Sequence, residues 1–128
     1  MPRLIFTVIV GVTIWFVVAT IGNFALRAMF QDYSAAEASM NFTFMMMIGR
    51  LALGLLSSFI TGLACTVISR GLWASRVTAI LMLVLFLPVH YMLWDKFPIW
   101  YHLFFLITLV PAIMAGAGVP RIGRTAKA

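Results

Sequence analysis

Hydrophobic positions along the chain fall into four long runs separated by short polar breaks. The first run, Leu4 to Leu26, holds 23 residues and is bounded by Arg3 and Arg27. About 20 consecutive apolar residues suffice for a helix to cross the hydrocarbon core of a bilayer, so this run predicts a spanning helix over 4–26. A cleaved signal peptide would have an apolar region of only about 7–15 residues and a small-residue cleavage triplet. The run here is longer and no such triplet follows it, so it reads as a retained helix.

Phe30 to Ser39 (FQDYSAAEAS) is the first break and contains Asp32 and Glu37. The second helix is expected over about 42–69. Its charge-free stretch, Leu51 to Ile68, has 18 residues, which puts Arg50 inside the helix near its first end. Ser69 to Arg76 (SRGLWASR) is the second break, with Arg70, Gly71 and Arg76, and a third helix is expected over 77–94. After Asp95-Lys96-Phe97, Pro98 opens a fourth helix over 98–118, at a position where a missing N–H costs nothing. A polar basic tail over 119–128 ends the sequence. The fold class expected is all-α, an up-down-up-down bundle of four transmembrane helices in a single integral membrane domain, 1–128. Helices three and four, joined by so short a turn, should be antiparallel neighbours. There is no internal repeat, low-complexity segment or soluble domain.

Composition strengthens this reading. The chain is 64% hydrophobic and only 9% charged, against about 25% charged residues in soluble domains, so the lipid bilayer is its natural solvent. Nine Lys and Arg stand against three Asp and Glu, but they are spread over the loops rather than gathered in a nucleic-acid patch. Short cytoplasmic loops carry the excess of Lys and Arg. With both termini inside, Arg3, Arg70, Arg76, Arg121, Arg124 and Lys127 are cytoplasmic, and only Arg27 and Lys96 lie outside. All three acids then also fall outside. Tyr33, Trp94, Trp100 and Tyr101 would mark the outer interface and Trp73 the inner one. This pattern suits a bacterial inner membrane.

The second helix carries small residues at every fourth position, Gly54, Ser58, Gly62 and Thr66. Such a stripe lets another backbone approach closely, either within the bundle or in a homo-oligomer. The same stripe extends to Arg50, which should therefore face packed protein. Arg50 either snorkels to the outer surface or pairs with Asp32, Glu37 or Asp95 as a structural anchor, or else binds an anionic ligand or lipid head group.

The segment HYMLWDKFPIWYH, from His90 to His102, is nearly palindromic about Lys96. His90 and His102 are each six residues from Lys96, and Tyr91 and Tyr101 each five. In an antiparallel hairpin both imidazoles should lie about 9 Å below the turn at a rise of ~1.5 Å per residue. Three readings compete. The histidines hydrogen-bond neighbours as interface residues. Or they join Arg50, Tyr91, Tyr101, Asp95, Arg27 and the loop acids in a ligand-binding focus at the outer mouth, histidine being the usual proton handler near neutral pH. Or they clasp a haem, for which closely packed helices leave little room. Zinc usually takes four ligands, and Cys65, at the far end of its helix, is too distant to join the histidines, so no metal site is expected. The lone cysteine also excludes an internal disulfide. Met45, Met46 and Met47 are consecutive and diverge around a helix, so they do not form a copper site. Pro88 and Pro111 should bend the third and fourth helices.

No glycine-rich nucleotide loop, H-E-x-x-H, C-x-x-C or acid inside a helix is present. The expectation for function is a non-enzymatic accessory subunit or binding module with an outward polar focus of His, Arg and Tyr. Its partners would be lipid and either further copies of the chain or a larger membrane complex, with no nucleic acid. A small oligomeric transporter or channel is the alternative, and a haem-binding redox protein the third.

Overall fold

The computed structural model describes residues 2–127, with side chains as far as Pro120. It contains five helices and, among the described residues, no strand: α1 (Pro2–Met29), α2 (Tyr33–Ser39), α3 (Phe44–Ser69), α4 (Trp73–Met92) and α5 (Ile99–Lys127). Four of them have the length and composition to cross a membrane, α5 doing so over Ile99–Pro120. These long apolar helices fit a multi-pass membrane protein.

The helix ends correct the expected boundaries, for local reasons. A charge does not stop a helix, because an arginine can reach water from inside one. Arg3, Arg27 and Arg76 are accordingly helical. Backbone geometry does stop a helix. Arg70 ends α3 in the left-handed conformation, at φ 61°, with its N–H donating to the Thr66 carbonyl, so α4 begins at Trp73 instead of Val77. Thr43 caps the start of α3, its hydroxyl accepting from the Met46 N–H at 3.3 Å. Helices α4 and α5 run through Pro88 and Pro111 without interruption. Helix α5 continues past the expected end at Gly118. The side chains of Arg121, Arg124 and Lys127 lie outside the described residues.

The segment expected as a plain break contains α2. Its sequence YSAAEAS is rich in alanine, the strongest helix former. Tyr33 and Ala36, one turn apart, are its buried face. Met40 closes it in the left-handed conformation, at φ 56°.

Helix α3 is the centre of the bundle and packs on α1, α4 and α5. Contacts with α1 pair falling with rising residue numbers. Cys65 meets Thr7, Thr61 meets Gly11, and Ser58 meets Trp15, whose indole N–H donates to the Ser58 hydroxyl at 3.0 Å. Contacts with α5 rise together, from Arg50 and Tyr101 through Gly54 and Phe105 to Gly62 and Ile113.

Closest approach is between α3 and α5. A β-carbon on Gly62 would fall on the Ile113 carbonyl, and one on Gly116 on the Phe59 carbonyl. The small-residue stripe therefore packs within the bundle, and all four of its members are buried. Every fourth residue drifts by about 40° around a helix of 3.6 residues per turn. This carries the stripe from the α5 side at Gly54 to the α4 side at Thr66, whose hydroxyl lies 3.0 Å from that of Ser75. Such hydroxyl contacts hold neighbouring helices in register where no water competes.

Candidate functional site

At the end of the bundle formed by α2 and the α4–α5 turn, Arg50 enters from α3 into a cage of aromatic rings. Its Nη1 donates to the Tyr33 hydroxyl at 2.8 Å and its Nε to the Tyr101 hydroxyl at 3.2 Å. Its guanidinium carbon lies 4.6 Å from the centre of the Phe42 ring and 6.0 Å from that of Phe97. Phe97 stacks on Tyr101 at 4.4 Å and on Phe42 at 5.5 Å. Phenol oxygens and ring faces stabilise the cation but do not neutralise it. The acids expected as partners are elsewhere. Glu37 is paired with Arg27 at 2.7 Å, while Asp32 and Asp95 are exposed.

Tyr33, expected at the interface, is completely buried. Its hydroxyl accepts from Arg50 and donates to Asn23 Oδ1 at 3.1 Å. Burial pushes the phenol up from its ordinary value, so it keeps the proton that this relay requires. Asn23, a lone polar residue in an apolar run, carried no pattern that would have singled it out, and Tyr33 was visible only as an interface aromatic.

The two histidines meet. Their Nδ1 atoms are 2.7 Å apart, and His102 Nε2 lies 3.3 Å from the Trp94 carbonyl. A carbonyl only accepts, so His102 Nε2 carries a proton. With neutral rings, His102 Nδ1 is then bare and His90 Nδ1–H donates to it. That leaves His90 Nε2 as a free acceptor. No fully buried side-chain nitrogen or oxygen lacks a partner among the described residues, so Nε2 reaches open space.

His90 lines a cavity of about 260 Å³ walled by α1, α3, α4 and α5. Its polar wall carries Arg50, Tyr101, His90, His102 and Asn23, and its floor is Trp15, Phe86 and Phe105. The floor is tight, with ring centres 4.8 Å apart for Trp15 and Phe86 and 5.0 Å for Phe86 and Phe105. Phe16 and Thr20 on α1 and Val89 on α4 form the rim, and all three are exposed. The mouth therefore opens sideways between two helices.

Of the sequence candidates, His90, His102, Arg50 and Tyr101 converge on this cavity, whereas Tyr91, 83% exposed, and Asp95 do not. The palindrome misleads about Tyr91 for a geometric reason. Successive residues turn by about 100°, and in an antiparallel hairpin the steps His90 to Tyr91 and His102 to Tyr101 turn in the same sense seen from the loop. Starting from facing imidazoles, the two tyrosines emerge on opposite sides of the hairpin. Tyr101 meets α3, so Tyr91 points away from the bundle.

Cys65 is buried near Thr7 and Thr78 at the other end. No group of three or more His, Cys, Asp or Glu placed to hold a metal ion occurs among the described residues. No family model, curated protein or solved structure matches the chain.

Proposed function

We propose that the chain is a non-enzymatic binding module of a bacterial inner membrane, working as a small accessory subunit. In this reading its four spanning helices run up-down-up-down with both termini cytoplasmic, and the polar cleft lies in the outer leaflet. The observation that carries the reading is the side-opening cavity on which Arg50, Tyr101 and the bonded histidine pair converge. Donors and an acceptor gathered above an aromatic floor are what a pocket for a small ligand requires. A pore through one copy of the chain is not favoured, because Trp15, Phe86 and Phe105 close the cavity below. A haem between the histidines is not favoured either, because their Nδ1 atoms already bond each other.

Purification in mild detergent tests the proposal. The expected result is a small particle that carries a bound small molecule or a partner protein and has no Soret absorption. A large ring-shaped oligomer that conducts ions in liposomes, or a Soret band, would overturn it.

A further inference from the structure

Arg50 places a positive charge among neutral groups in the apolar part of the bundle. Its hydrogen-bond partners are two phenols, and none of the three acids bonds to it among the described residues; Glu37, held by Arg27, acts on it only through space. Desolvating a charge without a bonded counter-charge is costly, and an incoming anion would supply one. The guanidinium has five N–H donors. Tyr33 and Tyr101 take two of them, and Arg50 lines the cavity. Asn23 spends its carbonyl oxygen on Tyr33, its amide N–H groups bond no other side chain or backbone among the described residues, and it lines the same cavity. Anionic oxygens are therefore matched at the polar wall.

The other walls are apolar and the mouth faces sideways. A volume of about 260 Å³ is at the small end of ligand pockets, which run from about 300 to 1,000 Å³. It takes a head group and the beginning of one hydrocarbon chain, whose remainder must leave past Phe16 and Val89 into the surrounding apolar phase. Resting on the binding reading above, we propose that the cleft holds a single-chain acidic amphiphile. Its anionic oxygens sit on Arg50 and Asn23, and its chain passes out between α1 and α4. A fatty-acid carboxylate and the phosphate of a single-chain lipid share this chemistry.

The test uses the full chain in dodecylmaltoside micelles. Binding of oleate, oleoyl lysophosphatidate and oleyl alcohol is measured by native mass spectrometry. One or both acidic probes should bind at least tenfold more tightly than the alcohol, and which acid binds better separates carboxylate from phosphate. Arg50→Gln should abolish that preference, bringing the acids down to the level of the alcohol. Should Arg50→Gln fail to fold, Thr20→Trp, at the exposed rim, leaves the cage intact and should weaken all three probes by narrowing the exit. Equal binding of acids and alcohol would overturn the acidic class while keeping a ligand cleft. Undiminished binding to Thr20→Trp would overturn the side exit. Binding of none of the probes would overturn both this proposal and the binding reading beneath it.

Discussion

His90 and His102 face each other through their Nδ1 atoms at 2.7 Å, twelve residues apart across the α4–α5 turn. Both are buried, so neither can exchange its partner for bulk water. His102→Phe should cost about 1–3 kcal/mol, because it leaves a buried donor on His90 unsatisfied. Replacing both histidines by Phe should cost less than the sum of the single changes. A double-mutant cycle on thermal unfolding in detergent checks this, and a coupling below about 0.5 kcal/mol would show that the pair is not a working bond.

Tyr33→Phe removes an acceptor from Arg50 and a donor from Asn23 in one change. Hydrogen bonds to charged groups are worth about 1.5–3 kcal/mol, so the variant should be destabilised by about that amount. Tyr91→Phe should be silent, because Tyr91 is 83% exposed and does not line the cavity. Unfolding temperatures of the two variants make the comparison.

Gly62→Ala should destabilise the bundle and Gly62→Leu should do so more severely. The added atoms meet the Ile113 backbone, which cannot swing aside as a side chain can. Overpacking of this kind costs about 1–3 kcal/mol. Gly71→Ala, with nothing within 4 Å of the new β-carbon, should be neutral, and Leu63→Ala should cost less than Gly62→Leu. Detergent melting curves that rank Gly62→Leu with Gly71→Ala would refute the close α3–α5 contact.

Glu37 accepts two hydrogen bonds from Arg27, at 2.7 and 3.1 Å, and they hold its carboxyl below the ordinary carboxylate range. A lowered folded-state value means that the pair stabilises above the unfolded carboxylate value of about 4.3. The contribution disappears as pH falls through the folded value. The difference in melting temperature between the native chain and Glu37→Gln should thus be small but positive at pH 7 and shrink steadily as the pH falls below about 4. A difference that grows on acidification would contradict this ion pair.

Reporter fusions test the proposed orientation. Fusions at Gly71 and at the C-terminus should read cytoplasmic, and one between Asp32 and Glu37 external. An external C-terminus would exclude it.

Apolar run length made the four long helices legible, because the bilayer sets a length that sequence can be measured against. Equal spacing from Lys96 put the histidines at one depth. Rotation about the helix axis has no such ruler. That is why spacing alone groups Tyr91 with Tyr101, and charge alone matches Arg50 to acids although phenols are nearer in space. Tyr33 reaches Arg50 only because α2 turns its buried face inward, and a seven-residue helix without an apolar stripe leaves little trace in a hydropathy pattern. Asn23 acquires its role only once Tyr33 is in place. Boundaries set by a left-handed residue, as at Arg70, depend on a dihedral angle that no composition window registers.

The two hydroxyls that receive Arg50 come from opposite directions in the chain, Tyr33 seventeen residues before it and Tyr101 fifty-one after it. A polypeptide entering the bilayer in order from its N-terminus can give the guanidinium its first partner as soon as α3 is in place. The second arrives only with the final helix. Until then the cleft lacks a wall and the arginine is half-satisfied in an apolar medium. A product cut short after α4 would carry that defect permanently. The last helix to be made thus carries the second of the two phenols that hold Arg50.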